Sequence, residues 1–341
     1  MHDHSDNPAR AIVWNHGVLS VESLGGMLGP TAFVLPDGRQ VSPFQIAPWA
    51  QEQSSDPLPG ILQRLRGEWP CVPFGGDGDC VAQDGWPASE ASPTVDADPH
   101  GFGSNHHWQF ETSGPNSICL AIDYPGAHPI RRLERRVSAV ADRAAIDFEL
   151  TVEVRQDCRL PIGLHPCFRL PALPGAVQIE IDAGASSMSF PGDVDQTALI
   201  APNQFAPQWN AVRGRDGTML DMSRVPLARS TEDLLQVLDP SGKASLWNTV
   251  DGYRVRLEWN AEHFPSALLW FSNRGRQMAP WNGRHLALGI EPICSAFDLG
   301  QQISAADNPI SARGVPTARQ FHAGERFVTH YRIGVEAAGR D

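Results

Sequence analysis

The chain has 341 residues, 41% hydrophobic and 19% charged, with a formal net charge of −12. That balance is globular, with apolar content for one large core or two ordinary ones. The acidic surface argues against nucleic acid or another polyanion as partner, and no apolar run approaches the roughly 20 residues of a membrane span. A single lysine, Lys243, stands among 27 basic side chains, in a turn-like P-S-G-K-A-S. Schiff-base and P-loop chemistry have little to work with here. The six cysteines (Cys71, Cys80, Cys119, Cys158, Cys167 and Cys294) include no C-x-x-C pair, so they read as reduced thiols of a cytoplasmic protein.

Residues 1–10 open with M-H-D-H-S-D-N-P, carry no signal-peptide pattern, and are expected to form a disordered leader to a single domain over 11–337. Ala11–Trp14 and Val18–Glu22 flank Asn-His-Gly, and Ala32–Leu35 and Gln40–Phe44 flank Pro-Asp-Gly. Two hairpins therefore begin the chain. Gln51–Gly60 is a Pro-rich surface loop, and Gln63–Gly78 is an irregular one presenting Arg66, Trp69 and Phe74. Residues 77–99 make a long excursion, of a length at which loops serve function or stay disordered. Ser117–Tyr124, Ile130–Val140, Ala145–Val154 and Val177–Ile181 read as strands, followed by a loop-rich region over 183–230. Leu234–Leu238, Ala244–Trp247, Tyr253–Trp259 and Ala267–Phe271 resume the meander, Leu286–Ile290 is an apolar strand, and Glu325–Val335 closes the sheet. Roughly fifteen strand-like runs and almost no amphipathic helix predict an all-β fold, a large antiparallel two-sheet sandwich.

Three stretches hold the candidate chemistry. P-I-G-L-H-P-C-F-R-L-P, over Pro161–Pro171, sets His165 before a proline that restricts it to extended geometry, between Leu164 and Phe168, which have something to bury. A held imidazole is a proton carrier near neutral pH, although a lone histidine among apolar residues also serves as a packed structural one. Glu291 follows the run Leu286–Ile290 and precedes Pro292. A carboxylate where a buried strand ends is costly unless paired in a salt bridge or used as a base. H-G-F-G-S-N-H-H-W-Q-F, over His100–Phe110, joins His100 to Gly101, whose missing side chain allows close backbone approach. His106 and His107 follow, one expected to face solvent, but the spacing supplies no carboxylate or thiol for zinc, so no metal is expected. Two imidazoles, a carboxylate, an arginine and several tryptophans are the inventory of a sugar pocket. Glycoside hydrolysis would need a second carboxylate facing Glu291, and Asp298 alone is weak support for one.

These segments, in this order, resemble the aldose 1-epimerase (galactose mutarotase-like) superfamily: R-G-E-W-P at 66–70, H-G-F at 100–102, G-L-H-P-C-F at 163–168 and G-I-E-P at 289–292. The histidine-rich segment is similar to one in the hexose-6-phosphate 1-epimerase branch, and T-E-D-L-L-Q at 231–236 is weakly similar to the family's aspartate segment. The resemblance implies a supersandwich that interconverts the α and β anomers of an aldose without a cofactor. It implies His165 as general acid on the ring oxygen, Glu291 as base on the anomeric hydroxyl, and His100 as a hydrogen-bonding partner. Arg66 would be the pocket arginine and Asp233 the hydroxyl-binding carboxylate, with Asp239 or Glu232 as alternatives, while Trp69, Phe74 and Trp108 would wall the pocket. Ser104 stands where the phosphate-handling branch has arginine, which favours an unphosphorylated aldose over a hexose 6-phosphate. Cys167 replaces a common tyrosine and is expected to open space beside His165, and the 77–99 excursion to cover the pocket. The partner is then a small-molecule sugar, with no nucleic acid or membrane, and the protein a monomer or homodimer. The rival reading is a carbohydrate-binding protein that keeps the pocket without turnover.

Overall fold

Every second side chain along Ala145–Val154 is apolar and buried (Ile146, Phe148, Leu150, Val152 and Val154), and the same period of two runs through Ile130–Ala139 and Tyr253–Trp259. Strands of this kind bury one face and leave the other to solvent. In the computed structural model, which describes residues 9–52, 58–76, 85–87 and 96–338, they belong to a nine-stranded antiparallel sheet. Its order is Arg224–Val225, Val177–Glu180, Lys243–Asn248, Tyr253–Trp259, Arg326–Ala337, Ala145–Val154, Ile130–Ala139, Ser117–Asp123 and Gln109–Phe110.

The facing eight-stranded sheet runs Phe205–Ala206, Ser186–Ser189, Thr231–Leu238, Ser266–Asn273, Leu286–Cys294, Ile162–Leu164 and Pro70–Cys71, with Cys167–Arg169 also paired to Leu286–Cys294. Its three long strands, Thr231–Leu238, Ser266–Asn273 and Leu286–Cys294, have no exposed residue. Their inner side chains, Leu235, Val237, Ala267, Leu269, Phe271, Leu288 and Ile290, join the core between the sheets. Their outer ones, Leu234, Leu268, Trp270 and Ile293, meet a second apolar cluster with Trp49, Leu65, Trp69, Phe74, Trp281 and Phe297. A sheet covered on both faces needs near-continuous apolar strands, which is what these sequences supply.

The two-sheet sandwich is the expected architecture, but the path between sheets differs from a simple meander. Thr231–Leu238 and Ser266–Asn273 pair within the eight-stranded sheet, whereas Lys243–Asn248 and Tyr253–Trp259 between them cross to the nine-stranded one. Arg326–Ala337 lies between Tyr253–Trp259 and Ala145–Val154, inside its sheet and not at a closing edge. Ala9–Trp14, Gly17–Glu22, Leu28–Val34 and Gln40–Val41 form a separate four-stranded sheet. Pairing there begins at Ala9, so ordered structure reaches two residues into the expected leader; residues 1–8 lie outside the described ones, as does most of 77–95. Lys243 starts a strand and is not in a turn. Among the described residues no helix is long and apolar enough to cross a membrane.

One ion pair is buried deep between the sheets, that of Arg135 and Glu68. Arg135 points inward from Ile130–Ala139, its Nη2 donating to the Glu68 carboxylate and its Nη1 to Gly26 O at 2.7 Å. The Tyr331 hydroxyl donates to the other Glu68 oxygen at 2.5 Å. Burial pushes the Glu68 carboxyl upward, while Arg135 and Tyr331 pull it back. The added hydrogen bonds to Gly26 and from Tyr331 offset part of the desolvation of the pair, although Arg135 Nε has no hydrogen-bond partner among the described residues.

Candidate active site

Alternation along I-G-L-H-P-C-F decides which way His165 points. Ile162, Leu164 and Phe168 enter the inner core, so Gly163, His165 and Cys167 face outward. The imidazole stacks on Trp69 (centroids 4.1 Å apart, 17° between planes), and its backbone N–H donates to Trp69 O at 2.9 Å. Trp69 is available because Glu68, its neighbour on extended chain, points the opposite way to Arg135. Cys167 Sγ lies 3.3 Å from His165 Nδ1, so the cysteine packs against the ring instead of opening space beside it.

Glu291 sits within the strand Leu286–Cys294 and not at its end, as the sequence led us to expect. The strand continues through Pro292 because its neighbour is interrupted there. Ile162–Gly163 pairs with Ile293–Cys294 and Cys167–Arg169 with Ala287–Gly289, leaving Leu164–Pro166 opposite Ile290–Pro292. The Ile290 N–H reaches Pro166 O at 3.1 Å, and two residues on, a proline can take the unpaired position without orphaning a ladder acceptor. Gly289 is required beside it: a Cβ there would stand 2.4 Å from Glu291 Oε1 and 3.1 Å from Trp270 Cβ. The carboxylate lies over that gap, with Oε1 3.5 Å from His165 Nε2 and without a hydrogen-bond partner among the described residues.

His100 completes the group. Its ring meets His165 edge-on at 5.1 Å and Phe74 at 4.9 Å. The Gly75 N–H points at His100 Nδ1 (3.4 Å), which makes Nδ1 the acceptor and leaves the proton on Nε2. Gly101 is held at φ +86 with Val72 O only 2.5 Å from where a Cβ would be, so the H-G-F turn needs its glycine. Gly163 has a similar duty, since a Cβ there would strike the Phe74 ring at 2.4 Å.

These groups line a cavity of about 180 Å³ with Leu234, Leu268, Trp270, Trp281, Arg276, Asp298 and Pro99. That is small beside the roughly 300–1,000 Å³ of pockets for drug-sized ligands, and suits a single ring. Burial, with the nearby Asp298 charge, pushes the Glu291 carboxyl well above the carboxylate range. Burial, then His100, holds His165 well below the ordinary imidazole range. Burial and the Arg276 charge lower His100 to about 4. Burial thus disfavours the charged forms of Glu291, His165 and His100 alike.

Several expected pocket residues are elsewhere. Asp233 shares the inner-facing parity of Leu235, and its carboxylate accepts from Leu199 N (3.0 Å), Ile200 N (3.2 Å) and the Thr231 hydroxyl. It holds the 197–200 loop and does not reach the cavity. One residue earlier, Glu232 faces outward, taking the Trp270 indole N–H at 2.6 Å and the Ser272 hydroxyl at 3.2 Å, with Arg276 Nε at 3.3 Å. A shift of one position in a strand exchanges the two faces. Arg66 is buried against Glu22 (3.2 Å) and is not a cavity residue; the lining guanidinium belongs to Arg276, 4.7 Å above the Trp281 ring. Trp108 is in the inner core, its indole N–H on Gly103 O at 2.7 Å. Trp69 and Phe74 back the two imidazoles from behind. Both His106 and His107 are exposed, near Asp98 and Ser23 respectively. Ser104 is buried, its hydroxyl on His100 O at 2.7 Å. Of the 77–99 excursion, Trp86 packs against Phe297 (5.9 Å) and Pro99 lines the cavity.

Trp270, Trp281 and His285 were not singled out from sequence. His285 stacks on Trp270 at 5.5 Å, meets Trp281 edge-on at 5.0 Å, and is lowered to about 3 by burial and Arg276. W-F-S-N at 270–273 offers period two as a signal for Trp270, but nothing local marks Arg276 or Trp281.

No protein-family model and no curated protein matches the sequence. Solved structures do match. A candidate aldose 1-epimerase from Escherichia coli K12 is 15% identical, with 96% of this chain and 99% of that one covered and a TM-score of 0.65. The galactose mutarotase related enzyme from Lactobacillus acidophilus is 12% identical, covering 98% and 99%, with a TM-score of 0.61. The GalM/aldose epimerase homologue from C. elegans is 12% identical, covering 97% and 99%, with a TM-score of 0.59. The chain thus has the galactose mutarotase-like sandwich fold. At these identities the likeness carries the fold and not the activity.

Proposed function

We propose that this protein is an aldose 1-epimerase, interconverting the α and β anomers of a free sugar by ring opening and closure. The observation that carries the reading is Glu291: a buried carboxylate with an unpartnered oxygen, 3.5 Å from His165 Nε2, in a cavity walled by indoles. The 3.5 Å gap is too long for a good hydrogen bond, and hydroxyls of a sugar would bring both groups into contact with it. In the opening step Glu291 takes the proton of O1–H, the C1–O5 bond breaks as C1=O1 forms, and protonated His165 gives its proton to O5. Rotation about C1–C2 then presents the other face of the aldehyde. On closure His165 takes the O5 proton, O5 attacks C1, and Glu291 returns its proton to O1. The pair carries one mobile proton throughout, and the neutral pair favoured by burial is the form that closes the ring. Hydroxyls that hydrogen-bond the carboxylate offset the cost of the charged form that opens it. His100, with its proton on Nε2, donates to O1 or O5. Trp270 and Trp281 supply apolar faces for the ring.

Arg276 already has a carboxylate partner in the fold, Glu232 at 3.3 Å. That supports a neutral aldose ahead of a hexose 6-phosphate. The test is anomer exchange by NMR on free aldoses and hexose 6-phosphates, comparing wild type, His165→Ala and Glu291→Gln. Acceleration lost in both variants is the expected result. Sugar binding without exchange would instead make the protein a carbohydrate-binding module and overturn the catalytic roles.

The pH profile follows from the shifts. Activity needs one proton on the pair. As pH falls, a second proton must go onto His165, whose pKa burial depresses, so the acid limb lies below 6.5. As pH rises, the pair loses its proton with Glu291, whose pKa is raised, so the basic limb lies well above 4.5. Exchange rates across pH check both limbs; an acid limb above 6.5 would contradict the assignment.

A further inference from the structure

Among the described residues the Asp298 carboxylate makes no hydrogen bond to another residue, and burial raises it while the Arg276 charge draws it back. It lines the cavity with Glu291, forms no ion pair among the described residues, and leaves the following helix Gly300–Ala305 without a side-chain cap. Yet the turn that carries it is held from several sides. Gln236, fully buried, donates from Nε2 to Ser295 O at 2.8 Å and accepts the Phe297 N–H at 2.7 Å. The Ser295 hydroxyl donates to Phe297 O at 2.7 Å, and the Gly76 N–H donates to Asp298 O at 3.1 Å. Gly75, at φ +90, passes where a Cβ would be 2.9 Å from the Asp298 carbonyl. Phe297 is fully buried at φ 48, in the left-handed region that a phenylalanine seldom adopts. Strain of that kind persists where surrounding structure over-determines it, and it clusters at binding sites.

We propose that Asp298 is a second substrate carboxylate, accepting a ring hydroxyl of the aldose whose anomeric oxygen meets Glu291, and that it selects neutral sugars over anionic ones. This rests on the sugar reading above. An anionic substituent entering the cavity would face Glu291 and Asp298, with the Arg276 charge shared between Glu232 and Asp298. A sugar hydroxyl instead gives each carboxylate a donor. Hydrogen bonds to charged groups are among the stronger ones, so removing one costs about tenfold to a hundredfold in affinity.

Binding of D-glucose, D-galactose, their monodeoxy analogues and D-glucose 6-phosphate is measured by calorimetry for wild type, Asp298→Ala and Asp298→Asn, the last guarding against a misfolded turn. Expected is one deoxy position at which wild type loses about tenfold or more while Asp298→Ala, weaker for the parent sugar, loses nothing further. The 6-phosphate gains relative affinity in Asp298→Asn. In turnover, Asp298→Asn also moves the basic limb of the pH profile downward, because a negative neighbour of Glu291 is gone. Losses that simply add at every position, or variant affinities equal to wild type, overturn the role of Asp298 alone. A wild type that binds none of these sugars overturns the sugar reading itself.

Discussion

Glu68 and Glu291 are both glutamates with almost no exposure, 0% and 1%, and burial raises both carboxyls. Their surroundings differ. Glu68, between the sheets, is met by Arg135 and the Tyr331 hydroxyl. Glu291, on the outer face of the eight-stranded sheet, leaves Oε1 without a partner and looks into a cavity. A buried charge that the protein satisfies itself serves the fold; one left unsatisfied beside a cavity is a candidate for contact with a ligand.

The comparison can be broken by substitution. Glu291→Gln is expected to lower the anomer-exchange kcat about 10²–10⁴-fold while leaving thermal stability unchanged or higher, since no protein partner is lost. Retained exchange with lost stability would put Glu291 in the same class as Glu68. Arg135→Met leaves Glu68 buried and uncompensated, and should cost about 3–5 kcal/mol in urea unfolding, with the double variant Arg135→Met, Glu68→Gln recovering part of it. Gly289→Ala forces Glu291 from its seat, and a misplacement of that size should cut kcat about 10²-fold with the fold intact by circular dichroism. Asp233→Asn sharpens the contrast at the smallest scale. Loosening its grip on Leu199 and Ile200 should cost about 1–3 kcal/mol of stability and leave kcat alone.

The sandwich was legible because two-residue alternation and turn residues are local signals, and strands such as Ala145–Val154 and Tyr253–Trp259 have the expected limits. His165, His100 and Glu291 were legible because proline and glycine neighbours mark unusual backbone, and the structure brings all three to one cavity. The assignment of strands to sheets was not, since Lys243–Asn248 looks no different from Ser266–Asn273 until long-range pairing separates them. Asp233 and Glu232 differ by one position, and only the register with Ser266–Asn273 says which faces outward toward Trp270 and Arg276. Arg276 and Asp298 come from connections whose sequence has no period, so their arrival at the cavity is a tertiary fact. Arg66 was the more conspicuous arginine, and its partner Glu22, 44 residues away, could not be read from spacing.

Glu291 and the residues flanking His165 hang from strands hydrogen-bonded to their neighbours, while much of the remaining wall comes from the short helix Gly60–Gln63 and from connections that carry Pro99, Arg276, Trp281 and Asp298. This division has an evolutionary consequence. Connections tolerate insertion and exchange far better than paired strands do. Under the proposed function, a lineage can redraw its sugar preference by trading these connections while the side chains that move the proton are inherited unchanged.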